Sequence, residues 1–447
     1  MCIITEALST VLTGWTVRVR RSWAAVTASV SGCLLLLAAC GPGGDTGAAR
    51  PTPVRIADTP AKLPIPRGKG SKTPDDFNGD GHRDLVLDTL VKSRSHADDA
   101  GIGVVYGSAR GLTPGARQLL GPARYAARTK GRLPHVFDAE ASCDLDRDGF
   151  TDLIVSTDPP YDGQGRPPVP LQVLFGSPGG LTHAVTLTVP AVARFGNDWP
   201  DQPVCGDFDG DGAQDLVLHA SGEQLSYLRG PFSRKGTPRA AGAPVPSPGE
   251  APTGPAADVN RDGYDDLVVR AAEGESKASV VLGGPAGPTR TGTVLPVGLD
   301  VALGRFGRGG ALDAAVGTLD ETLLRYDLPT ATRTSLRSPG SLLDAADLDG
   351  DGLSELVSSG SGLRVFRGRT TGLSTAGTVT VEPPARGTTQ VLAVGDWDGD
   401  GRADLAVRTY RGETKDTVAV YPGRKKGLLT AKPTVTFSTS EFLAAAN

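Results

Sequence analysis

Short apolar runs recur along the chain, and each is entered from the same polar pattern. Leu85-Val86-Leu87, Leu153-Ile154-Val155, Leu216-Val217-Leu218 and Leu267-Val268-Val269 are too short for helices and rich in β-formers, so they predict buried strands. Oxygen-bearing side chains at alternate positions precede each run, followed by a glycine and one further acid. Asp207-Phe208-Asp209-Gly210-Asp211-Gly212-Ala213-Gln214-Asp215 shows the pattern in full. A second apolar run follows and ends in glycine, as in Val104-Val105-Tyr106-Gly107, Val173-Leu174-Phe175-Gly176 and Val280-Val281-Leu282-Gly283. Many units then add a Gly-Leu turn (Gly111-Leu112, Gly180-Leu181) and one more β-rich run, such as Thr186-Leu187-Thr188-Val189. Each unit therefore reads strand, polar loop, strand, longer loop, strand, turn, strand.

The polar loop has the chemistry of a hard-cation site. Ca²⁺ takes six to eight oxygens from carboxylates, carbonyls and water, whereas Mg²⁺ prefers small octahedral sites that keep several waters. Positions one, three, five and nine supply side chains, position seven a backbone carbonyl, and the glycine at position six permits the turn. Numbered this way, the first copy is Asp76, Asn78, Asp80, His82 and Asp84, and the second Asp144, Asp146, Asp148, Phe150 and Asp152. The third is Asp207, Asp209, Asp211, Ala213 and Asp215, and the fourth Asp258, Asn260, Asp262, Tyr264 and Asp266. The sixth is Asp347, Asp349, Asp351, Leu353 and Glu355, and the seventh Asp396, Asp398, Asp400, Arg402 and Asp404. The fifth copy, Arg305 to Asp313, has Arg, Gly and Gly at its first three ligand positions and reads as a metal-free loop of the same shape. Position twelve is apolar or Ser in the six intact copies and leads into a strand. An EF-hand places a bidentate Glu there between helices, so that alternative fails. About six structural Ca²⁺ sites are expected.

Successive copies start 42 to 68 residues apart, which marks a repeat architecture varied by insertion. Four antiparallel strands per unit and seven units make a closed β-propeller, and closure removes exposed sheet edges. At this point the chain resembles the FG-GAP family, the repeat of the integrin α-subunit head and of many bacterial surface proteins. The resemblance covers about 71–440. It implies an all-β, seven-bladed β-propeller of four-stranded antiparallel blades, with calcium loops joining the first and second strands of a blade on one face and ligand-binding loops on the other. The fifth loop departs from the motif, and no adhesion domain is inserted between blades.

The ends of the chain carry a different message. Arg18, Arg20 and Arg21 precede an apolar run from Trp23 to Ala39, so residues 1–39 read as an export signal. The run ends Leu37-Ala38-Ala39-Cys40-Gly41, which resembles the bacterial lipobox and implies a lipidated Cys40. Residues 40–70, rich in Gly, Pro and Ala, read as a flexible tether, 71–440 as the propeller and 441–447 as a tail. The expected location is extracytoplasmic, held to the membrane by the lipid anchor without a span. Cys143 and Cys205 stand just before the second and third loops. Export permits a disulfide between them, and two buried thiols are the other reading.

Net charge is −4, but 22 of the acids are ligands of the six loops. From residue 40 on, Lys and Arg number 43 against 27 acids that are not loop ligands, a mildly cationic surface once calcium is bound.

Catalytic motifs are missing: no Gly-x-Ser-x-Gly, no His-Glu-x-x-His, no phosphate-cradling loop, and five histidines spread over separate units. The chain is expected to be a non-catalytic, monomeric binding or adhesion module for an extracellular protein or an envelope glycan. It shows no nucleic-acid signature. A secreted polysaccharide-active enzyme is the alternative. The longest loops expected opposite the calcium, 88–101, 113–135, 157–169 and 190–203, carry Arg124, Tyr125, Arg128, Tyr161, Phe195, Asn197 and Trp199 as a candidate ligand face. In a second reading, Tyr125 and Trp199 simply cap blade ends.

Overall fold

The structure, a computed structural model, describes residues 61–97, 101–271, 275–307, 309–328, 332–360 and 362–443. The export signal and Cys40 lie outside them.

Among the described residues seven antiparallel blade sheets follow one another along the chain, six of them built on four or more strands, and Gly423–Arg424 pairs with Leu428–Leu429 in a separate two-stranded ribbon. The second blade shows the plan: Phe137–Cys143, Asp152–Thr157, Leu171–Leu174 and Ala184–Thr186 pair as successive neighbours. Strand Asp152–Thr157 is buried at every position because neighbouring blades cover both of its faces. Outer strands such as Ser374–Thr380 are largely exposed. Helix is confined to Pro122–Tyr125, Ser440–Leu443 and a 3₁₀ turn at Ala191–Ala193 among the described residues.

The core is divided into seven apolar clusters, and each lies between two consecutive blades. Leu145, Ile154 and Val173 of the second blade pack on Leu216, Leu218 and Leu228 of the third. Leu267 and Val269 of the fourth pack on Val217 and Tyr227 of the third. The last cluster joins Trp397, Ala406 and Val418 of the seventh blade to Leu85, Leu87 and Val105 of the first, so the ring is closed by side-chain packing.

The first blade departs from the expected four strands. It has three: Leu85–Leu87, Ile102–Val105 and Arg117–Leu120. The segment before its loop does not pair as an inner strand but lies across two loops. Gly68 N donates to Asn78 O at 3.1 Å, Gly70 N to Gly79 O at 3.1 Å, and Ser71 N to Gly149 O at 2.7 Å. Residues 66–70, read from sequence as the end of a tether, are therefore docked on the propeller together with Ser71. The C-terminal end is docked too. Phe442 is buried against the first blade, and Arg117 Nη2 donates to Glu441 O at 3.1 Å.

Cys143 and Cys205 are joined in a disulfide with a Cα–Cα separation of 6.3 Å. It ties the inner strand of the second blade, Phe137–Cys143, to that of the third, Val204–Gly206. Of the two readings the sequence left open, the structure takes the bonded one.

Candidate metal centres

Each polar loop but the first joins the inner and second strands of a blade, the first leading into Leu85–Leu87 with no inner strand before it, and a common hydrogen-bond scheme folds them. The position-one carboxylate accepts backbone N–H groups from positions five and six: Asp144 from Asp148 N (3.1 Å) and Gly149 N (2.9 Å), Asp258 from Asp262 N and Gly263 N (both 3.0 Å). The position-five carboxylate accepts from position seven, as Asp148 does from Phe150 N at 3.0 Å and Asp351 from Leu353 N at 2.9 Å. His82, Ala213, Tyr264 and Arg402 make the same bond through their backbone N–H. Position six has positive φ in every intact copy, from 79° at Gly212 to 90° at Gly81. Position four does as well, and there Arg147 (60°) and Arg261 (63°) adopt a conformation in which glycine is usual. The sequence reading missed that second constraint.

Position nine has a structural task beside any cation. Asp152 accepts from Leu145 N, the loop's second residue, and from Gly176 N, the glycine that ends the third strand, both at 2.9 Å. Asp84 does the same with Phe77 and Gly107, Asp266 with Val259 and Gly283, Glu355 with Leu348 and Gly368, and Asp404 with Trp397 and Gly423. Asp215 accepts from Gly230 N and from the Tyr227 hydroxyl. This explains the recurring strand-end glycine. A Cβ on Gly176 would stand 2.4 Å from Thr151 O, and one on Gly230 only 2.1 Å from Gln214 O. The loop's second residue plugs the core toward the next blade: Phe77, Leu145, Phe208, Val259, Leu348 and Trp397 are all at most 2 % exposed.

The fifth loop separates the two tasks. Phe306 is fully buried, and Asp313 accepts from Phe306 N (2.8 Å), Gly307 N (3.0 Å) and Asp327 N (2.7 Å). Positions two and nine are thus kept while the ligand positions are lost.

In four loops the ligand side chains converge. Oxygen atoms of Asp144, Asp146 and Asp152 lie within 4.8 Å of one another, as do those of Asp207, Asp209 and Asp215, of Asp347, Asp349 and Asp351, and of Asp396, Asp398 and Asp404. The first and fourth loops carry Asn at position three, and its amide nitrogen donates to the position-five acid: Asn78 to Asp80 at 3.2 Å, Asn260 to Asp262 at 3.0 Å. Among the described carboxylates of these loops, three buried oxygens have no hydrogen-bond donor: Asp146 Oδ1, Asp207 Oδ1 and Asp349 Oδ1. A buried carboxylate oxygen without a donor fits a cation partner. Burial pushes Asp84, Asp152 and Glu355 up to about 8 and Asp404 up to about 7, with neighbouring loop acids adding to the rise. Asp215 and Asp266 rise to about 6 for the same reasons. Bound Ca²⁺ would remove that repulsion, so the residues present fit the ion.

Arginines stand outside these clusters. Arg234 pairs with Asp146 and Asp148, Arg239 with Asp211, Arg290 with Asp262 at 2.9 Å, Arg367 with Asp349 and Arg402 with Asp400. In the second and sixth loops the arginine takes Oδ2 of position three and leaves Oδ1 facing inward.

The opposite face carries the long connections of the first two blades. Tyr161 and Trp199 meet edge to face at 5.5 Å, bringing two loops together, and Phe195, in the same connection as Trp199, is exposed. Arg124 is exposed over the Tyr125 ring. Tyr125 itself is a core residue: it is 8 % exposed, accepts from Gln118 Nε2 and stacks on His183. It caps a blade and does not belong to the open face. An exposed arginine next to an aromatic in the sequence does not reveal that the ring turns inward.

Seven blades, each entered through an acidic loop or its degenerate copy, define a repeat β-propeller. Residues 344–407, which span the loops of the sixth and seventh blades, match the FG-GAP-like repeat. No curated protein sequence matches it. Among solved structures, it is similar to an Agrocybe aegerita protein described as specifically recognising non-reducing terminal N-acetylglucosamine. That match has 15% identity, 58% of this chain and 72% of the other, and a TM-score of 0.41. It is also similar to BBS1N, crystallised in complex with ARL6DN (14% identity, 83% and 97% coverage, TM-score 0.45). A third match is an AofleA mutant from Arthrobotrys oligospora (10% identity, 85% and 96% coverage, TM-score 0.36). Likeness at this level carries no functional argument.

Proposed function

We propose that this chain is a non-catalytic, extracytoplasmic binding module, held to the membrane through a lipid on Cys40 and stiffened by structural Ca²⁺ in its six intact loops. The observation that carries the calcium reading is the convergence of loop oxygens together with the buried, donorless Oδ1 atoms of Asp146, Asp207 and Asp349. Successive loops are bonded to one another. Thr151 N donates to Asp76 O at 3.0 Å, Asp265 N to Asp207 O at 3.0 Å and Ala403 N to Asp347 O at 2.8 Å. A cation that orders one loop therefore also braces its neighbour, and the ring is stabilised by mass action. The binding reading rests on the long loops of the first two blades, which present Arg124, Arg128, Tyr161 and Trp199 opposite the calcium. An extracellular protein or an envelope glycan is the expected partner.

The test has two parts. Melting temperature is measured with calcium and with chelator, and an unchanged value rules out the structural calcium. The protein is then used as bait in an envelope extract under both conditions. Retention of a partner with calcium supports the binding module, and no retention in either condition turns attention to enzyme activity on polysaccharides.

A further inference from the structure

We infer that the connection Arg124–Arg132 of the open face, with the Thr129–Arg132 hairpin turn at its tip, is a docking site for an anionic glycan, a linear polysaccharide bearing carboxylate or phosphate groups. The inference rests on the binding-module reading above and names its ligand class.

Eight arginines of the described residues pair with aspartates. Those beside the metal loops pair with loop acids, and Arg408 is buried with Asp416 at 2.8 Å. The connection between the first and second blades is different. From Gly121 to Val136 it holds Arg124, Arg128, Lys130 and Arg132 and no acid, and all four side chains are exposed. Among the described residues, no carboxylate pairs with any of them. The only side-chain hydrogen bond in the set runs from Arg128 Nη1 to Gly131 O at 3.0 Å.

The hairpin is also built to hold its shape. Thr129 and Arg132 exchange backbone hydrogen bonds at 2.9 and 3.0 Å across a turn in which Lys130 (φ 50°) and Gly131 (φ 78°) are both left-handed. Its base is clamped by Gln172, which is 1 % exposed: the side-chain amide accepts from Ala127 N at 2.8 Å and donates to Ala127 O at 2.9 Å. At the far end Asp158 accepts from His135 N and Val136 N at 2.6 and 2.8 Å. Three cations are thus presented on a braced turn, with little conformational entropy of the backbone left to lose on binding.

Topology puts this hairpin on the face away from the metal loops, because it leads into the start of Phe137–Cys143 while the loop leaves its end. The connections that carry Tyr161, exposed Arg166 and Trp199 belong to the same blade and the same face. Cations for the acidic groups and aromatic rings for sugar C–H faces suit a charged saccharide chain, and the export reading selects envelope glycan over nucleic acid.

The test uses the full chain with calcium, polygalacturonate as probe, and neutral dextran and single-stranded DNA as comparators. Saturable, salt-sensitive binding to polygalacturonate is expected. The triple variant R128A/K130A/R132A should bind about tenfold more weakly, as expected for the loss of three exposed ionic contacts. R424A/K425A/K426A removes the same charge from exposed residues at the opposite end of the seventh blade and should bind like the parent. Lys130→Glu, at the open tip, tests the same claim should the triple variant fold poorly. Equal loss in both triple variants, equal binding to dextran, or tighter binding to DNA would each overturn the inference. Capture of envelope material by a chain that ignores polygalacturonate would overturn it too while leaving the binding module standing.

Discussion

The Cys143–Cys205 bond encloses the second blade apart from its inner strand, and its contribution can be worked out from chain entropy. The two residues are 62 apart in sequence, and the closed segment is the loop and remaining strands of the second blade plus the entry to the third. Cross-linking a loop of that length removes conformational freedom from the unfolded chain worth about 4 kcal/mol at room temperature. The folded state loses little when the bond is cut, because the same two blades remain packed through Leu145, Ile154, Leu216 and Leu218. Both half-cystines are half-buried, so serine replaces them without stranding a buried hydroxyl. A body of roughly 370 residues gains on the order of 0.8 kcal/mol per kelvin of unfolding entropy, so the melting temperature should fall by about 5 °C. Scanning fluorimetry in excess calcium measures it for the parent and for C143S/C205S, each with and without reductant. The parent should drop on reduction to the value of the double variant, and the double variant should not respond. A parent that melts within about 1 °C of the double variant would refute the entropic account. So would a reductant effect of equal size in both proteins.

Three further outcomes test the loops. In chelator, folding holds Asp84, Asp152, Glu355 and Asp404 well above the usual 3.8–4.5 range, at about 7 to 8, so ionising them opposes the fold. The chelated protein should therefore lose stability as pH rises from about 4 to about 8, and calcium should abolish that slope. A flat pH profile of melting temperature in chelator would sink this reading. Gly176→Ala should destabilise by about 1–3 kcal/mol through overpacking against Thr151 O and the Phe150 side chain, whereas Gly242→Ala, with nothing within 4 Å, should be neutral in denaturant titration. Native mass spectrometry should count about one calcium fewer in Asp152→Asn than in the parent. The count in Asp313→Asn should be unchanged, since its loop lacks the other ligands, and a lost ion there would contradict the division of tasks.

What the sequence made readable was whatever repeats locally. The loop acids, the β-rich run after them and the strand-end glycine lie within one unit and return in register, so strand order, blade number and every loop position followed from spacing. The unread features are those in which distant segments meet. The first blade lacks an inner strand because residues 66–71 bind across the loops at Asn78 and Gly149, a contact that no local pattern announces. Tyr125 turns into the core because Gln118 and His183 are there to receive it. Arg234 reaches Asp146 from 88 residues away. The fifth blade then explains why the motif blends two signals. With Arg305, Gly307 and Gly309 at the ligand positions it retains Phe306 as the core plug and Asp313 as the clamp, and the blade still forms. Positions two and nine answer to the fold, which cannot lose them. Positions one, three and five are those the proposed cation would use, and a blade without an ion would be free to change them.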